Sequence, residues 1–117
     1  MVNIEDIRTF CLVLPGTTED LKWGNDLCFC LAGKMFCVTG LAGTMTISFK
    51  VTDEEFDEVS SSEGFIPAPY MARHKWVLLK DPGKITRKNL LAYIKQSYAL
   101  VRSKLSKKAL NGITFSP

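Results

Sequence analysis

The spacing of apolar residues changes twice along this chain, and this change limits the possible folds more than any other feature. Residues 4–14 carry apolar side chains every three or four positions, which is typical of a helix with one buried stripe. Residues 26–50 hold two short apolar runs around Gly33 and then an alternating segment, Thr44–Lys50, which is typical of strands. Residues 86–108 return to helical spacing. The pattern predicts helices at both ends of an antiparallel sheet.

Several residues predict where the helices begin and end. Asn3 is suited to cap the first helix, and Pro15 stops it because proline cannot continue a helix. Asp53 is predicted to cap a short acidic helix in the middle of the chain. Thr86 is predicted to cap the last helix, which we expect to continue to about Lys108.

The central hairpin predicts an arrangement of three cysteines. If Gly33 and Lys34 form the loop, Cys30 faces Cys37 across the two strands, and Cys28 lies on the same face. Cys-x-Cys within a strand differs from the turn-borne ligands of zinc sites, and a fourth ligand is missing. We therefore expect buried free thiols and no metal.

The remaining strands complete the sheet. Weaker signals predict one strand at residues 19–23 and another at 75–79, whereas two prolines place the segment 65–70 along a sheet edge. The predicted fold is a single α+β domain over residues 1–117. It has one antiparallel β-sheet of about five strands, with the N- and C-terminal helices packed on one face.

Composition and termini predict the compartment. Hydrophobic residues make up 46% of the 117 residues, which is enough for one packed core. No apolar run approaches the length of a membrane span, and the first residues do not resemble a signal peptide. Four cysteines within apolar segments are typical of a reducing environment. We expect a cytoplasmic protein without membrane contact and without a cofactor.

Charge is distributed unevenly although the net charge is only +3. Residues 1–72 hold 4 basic and 11 acidic side chains, whereas residues 73–117 hold 11 basic and 1 acidic. A basic surface raises the local concentration of anionic partners. A lysine-rich helix that is merely solvated remains the alternative.

Short motifs along the chain resemble those of the bacterial MmcQ/YjbR family. They occur in the family's order and cover about residues 10–108: Leu14-Pro-Gly16, Lys22-Trp-Gly24, Gly33-Lys-Met-Phe36, Ile47-Ser-Phe-Lys50, Pro69-Tyr-Met71, Trp76, Ser97-Tyr98 and Val101. The resemblance implies a CyaY-like α+β fold, which is also described as a double-wing DNA-binding fold. It therefore also implies DNA binding.

One segment departs from the family pattern. Where the family usually reads Asn-Lys-x-His-Trp, this chain reads Ala72-Arg-His-Lys-Trp76. Lysine occupies the usual histidine position, and His74 falls one residue earlier. A role that needs an imidazole at that position is therefore in doubt, whereas a role that needs positive charge beside an aromatic ring is unaffected.

Basic residues near aromatic rings are the candidate DNA-binding residues, because lysine and arginine neutralise phosphates and rings stack on bases. The predicted set draws on the hairpin loop, the segment before Trp76 and the last helix: Lys22, Lys34, Arg73, His74, Lys75, Trp76, Lys95 and Arg102. Burial of both tryptophans in the core, with solvated charges around them, is the alternative.

Catalysis is not expected, since the chain has one histidine, no nucleophile elbow and no phosphate-binding glycine loop. The leading hypothesis is a non-catalytic DNA-binding protein of low sequence specificity that contacts phosphates through the basic C-terminal half of the chain. One alternative is a protein-interaction module that uses the acidic segment Asp53–Glu63. Another is small-ligand binding in an aromatic cleft near Trp23, Tyr70 and Trp76.

Overall fold

Helices and strands follow one another in the order that the apolar spacing predicts. The computed structural model describes residues 2–112. Its elements, in chain order, are α1 (Ile4–Val13), β1 (Thr17–Lys22), β2 (Asp26–Leu31), β3 (Lys34–Gly40), β4 (Thr46–Lys50), α2 (Phe56–Ser60), β5 (Phe65–Pro67), β6 (Trp76–Leu79), α3 (Arg87–Ser103) and α4 (Lys107–Asn111). Short 3₁₀ turns at Ala72–His74 and Pro82–Lys84 flank β6.

The strands form one antiparallel sheet in the order β1-β2-β3-β4-β6-β5. It has six strands, one more than the approximate expectation, because Phe65–Pro67 pairs with β6. This short strand is at the sheet edge, where a proline does not interrupt a further ladder. The predicted fold class is confirmed.

The predicted register of the central hairpin is wrong. Its loop is Ala32-Gly33, and both residues have positive φ, which is typical of a two-residue hairpin turn. The pairing then shifts between Phe29 and Cys30, so that Phe29 pairs with Cys37. Because neighbouring residues in a strand point to opposite faces, this bulge turns Cys37 away from Cys28 and Cys30.

The last helix is shorter than the sequence predicts. Thr86 caps α3 as expected, since its hydroxyl accepts a hydrogen bond from the Asn89 N–H at 3.2 Å. The helix ends at Ser103, however, and Ser106 caps the separate helix α4 by accepting from the Ala109 N–H at 3.1 Å. A serine that can cap a new helix competes with continuation of the old one.

The predicted cap of α1 is observed, whereas the predicted cap of α2 is not. Asn3 and Asp6 form the predicted start of α1 as a reciprocal capping box. The assignment of Asp53 as the cap of α2 is wrong. Thr52 and Glu55 instead exchange hydrogen bonds between side chain and backbone, at 3.0 and 3.2 Å. Their spacing of three residues allows the same reciprocal pairing as in a capping box.

One face of the sheet packs against α1 and α3 to form the core. Tyr98 on α3 joins this packing twice. Its ring meets Phe36 edge-on at 5.3 Å, and its hydroxyl donates to the Pro15 carbonyl. The sheet and helices contribute a shared set of fully buried side chains: Ile7, Cys11, Phe29, Leu31, Phe36, Cys37, Ile47, Phe49, Val77, Leu79, Leu90 and Ile94.

The second face of the sheet carries the candidate site. Register places Val38, Ser48 and Leu78 side by side on this face, opposite the row that enters the core. The connection between β5 and β6, residues 68–75, folds back along this face. Its first residue is attached to β6, because the Ala68 N–H donates to the Trp76 carbonyl at 3.0 Å.

Candidate nucleic-acid interface

A cleft lined by basic side chains opens at one end of the second sheet face. It has a volume of about 460 Å³. Its basic residues come from separate parts of the chain: Lys22 at the end of β1, Lys34 at the start of β3, Lys50 at the end of β4, His74 in a 3₁₀ turn and Lys104 just after α3. We call this site the lysine cleft.

Local hydrogen bonds hold the lysine cleft in shape. Lys50 is fixed at both ends, because its N–H donates to the Ser97 hydroxyl at 2.9 Å and its ammonium group donates to the His74 carbonyl. The next residue, Val51, donates its N–H to the Lys75 carbonyl at 2.9 Å. These bonds connect β4 to the 3₁₀ turn, so the basic residues of the two segments keep a fixed separation.

The electrostatics of the lysine cleft favour anions. Among residues 2–112, its lining contains four lysines and one histidine and no carboxylate. Basic side chains that converge in a concavity reinforce one another's potential, because the low-dielectric walls concentrate the field. The arrangement is chemically suited to bind phosphate or another anion, whereas nothing in the lining provides a nucleophile beside a base.

A largely apolar cavity of about 430 Å³ adjoins the lysine cleft on the same sheet face. The two share four lining residues: Trp23, Met35, Met71 and Trp76. We call this second space the aromatic cavity. Cleft and cavity therefore form one continuous surface in which positive charge lies next to apolar side chains.

Two aromatic residues at the aromatic cavity are exposed and have unusual backbones. Trp23 is 71% exposed and Tyr70 is 99% exposed. Their φ angles are 52° and 65°, a region that non-glycine residues seldom adopt. Strained backbone conformations at non-glycine residues cluster at functional sites, and Ala32 and Lys75 share them in this chain.

Four of the predicted binding residues meet in the lysine cleft: Lys22, Lys34, His74 and Trp76. Trp76 lines its wall but is only 4% exposed, so its ring is mainly a packed surface. Of the two tryptophans, Trp23 is the one displayed to solvent.

The other four predicted residues lie outside the lining of the lysine cleft. Arg73 is exposed, and its Nε donates to His74 Nε2 at 3.3 Å. Lys75 points to α2, with its Nζ 5.1 Å from the centre of the Phe56 ring. Lys95 and Arg102 line a separate groove beside Tyr98. The predicted set is thus divided between at least two surfaces.

Sequence reasoning missed Lys50 as a member of the site, and it did not distinguish Lys104 from the other basic residues of the last helix. Lys50 follows Ser48 by two positions in β4, so strand alternation was a signal that it shares the second face. Nothing local marks Lys104. Three of the cleft's four lysines come from the predominantly acidic first 72 residues, so the basic C-terminal half is not its main source.

The cysteines are buried and free of disulfides within the described residues. Burial raises the pKa of Cys28 to about 11, and Cys30 is shifted in the same direction for the same reason. Cys37 lies next to Cys11, and a hydrogen bond between them together with burial raises the Cys37 pKa well above its usual value. In residues 2–112, no group of three or more histidine, cysteine or acidic side chains is placed to hold a metal ion.

Two further observations concern membrane contact and the alternative of a protein-interaction module. None of the helices described between residues 2 and 112 is long and apolar enough to cross a membrane. The acidic segment proposed for protein contact includes α2, where Asp57 and Glu58 are exposed.

Comparison with solved structures supports the fold. The chain is similar to a Deinococcus radiodurans protein with a DUF419 domain, at 22% identity and a TM-score of 0.84, covering 96% of this chain and 88% of that one. It is also similar to a Pseudomonas syringae protein, at 18% identity and a TM-score of 0.69, covering 85% and 98%. At these identities the likeness concerns the fold alone.

The sequence itself identifies the family. No curated protein matches the chain significantly. The family model described as YjbR matches residues 12–100, which is most of the sequence and includes the motifs around Trp23, Lys34, Lys50 and Trp76. This protein belongs to the YjbR family.

Proposed function

We propose that the protein is a non-catalytic, cytoplasmic DNA-binding protein that contacts backbone phosphates through the lysine cleft. One observation carries the proposal: four lysines and a histidine from five separate segments converge on a concave surface whose described lining contains no carboxylate. A merely solvated set of charges would not need to converge, since like charges repel. Accumulated positive charge in a cleft is a reason to expect an anionic partner.

Phosphate contact by this cleft predicts a strong dependence on salt. Each phosphate that a protein neutralises releases condensed counterions, which gives a slope of about −0.9 in log affinity against log salt for duplex DNA. Four lysines therefore correspond to a slope of roughly −3 to −4. A much steeper slope would be expected if all fifteen lysines and arginines of the chain contacted phosphates.

Sequence specificity is expected to be low. Readout in the major groove requires arginine, asparagine or glutamine side chains on an element that enters the groove. The lining of the lysine cleft offers only lysines and one histidine as basic groups, and these provide single point contacts. Backbone contacts position a protein on DNA without reading its sequence.

The test is fluorescence anisotropy of labelled random-sequence DNA, both single-stranded and duplex, at about 50 and 200 mM salt. The cleft variant is Lys34→Glu with Lys104→Glu, both exposed residues of the lining. The matched control is Lys107→Glu with Lys108→Glu, which changes the net charge equally on exposed α4 positions. We expect the cleft variant to lose at least tenfold in affinity and the control to lose much less.

A further variant distinguishes the lysine cleft from the neighbouring basic stretch. Arg73→Glu with Lys75→Glu again makes the same charge change, but at residues outside the cleft lining. A larger loss for this variant than for Lys34→Glu with Lys104→Glu would contradict the assignment to the cleft. Absence of binding to either form of DNA at low salt, up to high micromolar protein, would refute the proposed function.

A further inference from the structure

The aromatic cavity is not needed for phosphate contact, and its chemistry differs from that of the lysine cleft. Most of its lining is apolar or aromatic, including Met35, Val38, Met71 and Leu78. We propose that it receives an unpaired nucleobase, so that the protein prefers single-stranded to duplex DNA. This inference rests on the proposed function, because the lysine cleft would hold the phosphates on either side of the base.

The dimensions of the aromatic cavity suit one base. Its volume of about 430 Å³ lies toward the lower end of the range for small-ligand sites, which is about 300–1,000 Å³. Trp23 and Tyr70 stand at the cavity as large exposed rings. Aromatic side chains of this kind bind single strands by stacking, because every base has a flat π-face.

The two polar side chains in the lining favour a base over a phosphate. Asp26 and Ser48 are the only side chains with carboxylate or hydroxyl groups, apart from the Tyr70 phenol, among the described residues that line the cavity. A carboxylate repels phosphate but accepts hydrogen bonds from the amino groups of adenine, cytosine or guanine. The phosphate of a nucleotide is thereby favoured at the lysine cleft and its base at the aromatic cavity.

The shared wall makes the two sites direct neighbours. Trp23, Met35, Met71 and Trp76 line both the lysine cleft and the aromatic cavity. A base in the cavity would therefore have its own backbone next to the lysines. In a duplex, the bases are paired and stacked, and reaching such a cavity requires flipping at a cost of a few kcal/mol. A single strand avoids this cost.

The test compares four labelled probes of the same sequence context: a single-stranded oligonucleotide, the same strand with abasic sites throughout, its duplex, and a mononucleotide. Stacking of one base is worth roughly 1–3 kcal/mol, so the intact strand should bind about 5- to 150-fold more tightly than the abasic strand. The duplex should also bind more weakly than the intact single strand. The mononucleotide should bind far more weakly, because it has only one phosphate.

Variants test whether the preference for the intact strand over the abasic strand arises in the aromatic cavity. Trp23→Ala and Tyr70→Ala remove exposed rings, and both variants should bind intact and abasic strands almost equally. Trp23→Phe should restore most of the difference. Val13→Ala, at a position 73% exposed on α1 and outside the cavity lining, is the control and should leave the ratio unchanged.

The outcomes separate this inference from the proposed function. Equal binding of intact, abasic and duplex DNA, all weakened by Lys34→Glu with Lys104→Glu, would overturn the base site and leave phosphate binding intact. A mononucleotide that binds as tightly as the intact strand would overturn it in favour of a small-ligand site. Loss of all binding to every probe would overturn both proposals.

Discussion

The side chain of Ser97 on α3 is fully buried, and its hydroxyl donates a hydrogen bond to the Phe36 carbonyl on β3 at 2.6 Å. The same oxygen accepts a hydrogen bond from the Lys50 N–H at 2.9 Å. Phe36 occupies the bulge of β3, where the sheet ladder is interrupted. One hydroxyl thus satisfies two backbone groups of neighbouring strands and connects them to the helix.

Ser97→Ala is expected to lower the free energy of unfolding by roughly 2–3 kcal/mol, because two buried backbone groups lose their partner. Urea denaturation followed by circular dichroism measures this value. Ser103→Ala is a matched control on the same helix, since Ser103 is exposed and bonds only locally to the Leu100 carbonyl. Its effect should stay within about 0.5 kcal/mol. Equal effects of the two substitutions would contradict the role of Ser97.

Gly64→Ala should be more destabilising than Gly43→Ala. Both glycines have positive φ, 88° and 68°, so alanine is strained at either position. A Cβ at Gly64 would also lie 2.8 Å from Lys84 Cβ and Cγ, whereas a Cβ at Gly43 would meet nothing within 4 Å. We expect a loss of about 1 kcal/mol at Gly43 and at least twice that at Gly64. Chemical denaturation measures both, and equal losses would show that Lys84 moves aside freely.

The ion pair between α1 and β1 predicts a stability change in acid. Arg8 holds Glu19 through two hydrogen bonds, at 2.7 and 2.9 Å, and this lowers the pKa of Glu19 below its usual value. The unfolded chain therefore takes up this proton at a higher pH than the folded chain. The stability that the pair provides is present above the unfolded pKa, near 4.3, and is lost as pH falls through the folded value.

Thermal denaturation of Glu19→Gln between pH 2 and 7 measures this contribution. The variant should be less stable than the original chain at pH 7, and the two curves should converge in strong acid. Glu54→Gln, at an exposed position ahead of α2, is the control and should show a smaller difference at every pH. Parallel curves for Glu19→Gln and the original chain would contradict the shifted pKa.

The buried thiols predict a stability change in the alkaline range. Burial raises the pKa of Cys28 to about 11, above its usual value of 9.0. The unfolded thiol therefore ionises first as pH rises. Stability should be constant below about pH 8 and should fall between the unfolded and folded pKa values, because the unfolded state binds fewer protons there. Cys28→Ala should show a shallower decline above pH 9 in urea denaturation, measured relative to its own value at pH 7.

Much of the fold follows from local sequence signals. The change in apolar spacing predicts the two long helices and the central strands, and Asn3 and Thr86 cap the helices as their side chains predict. Proline at 67 predicts the edge position of β5. In each case the signal and the structure involve the same few residues, so no knowledge of tertiary contacts is needed.

The wrong predictions concern positions where tertiary packing selects between two local structures. The bulge that carries Phe36 moves the register by one residue, and it depends on contacts with Ser97 and Tyr98 far along the chain. Likewise, α3 does not continue beyond Ser103, and Ser106 instead caps the new helix α4. Local sequence offers both solutions at such positions, and tertiary contacts select one.

The candidate site was only partly predictable for a related reason. Proximity to tryptophan in the sequence indicated Lys22 and His74, which do line the lysine cleft. The same reasoning indicated Lys75, whose backbone is left-handed and whose ammonium group lies 5.1 Å from the centre of the Phe56 ring. Lys104 reaches the cleft only through the packing of α3, which no local pattern encodes.

Because the lysine cleft joins residues from both ends of the described chain, it cannot exist during most of translation. Lys22 emerges from the ribosome early, whereas Lys104 of the same cleft follows only after all of α3 has been made. A nascent chain that carries the sheet without α3 would have neither the Ser97 bonds nor the complete set of lysines. The polyanion affinity that we propose for the cleft should therefore be absent from chains that end before α3 is complete and present once Lys104 has been added.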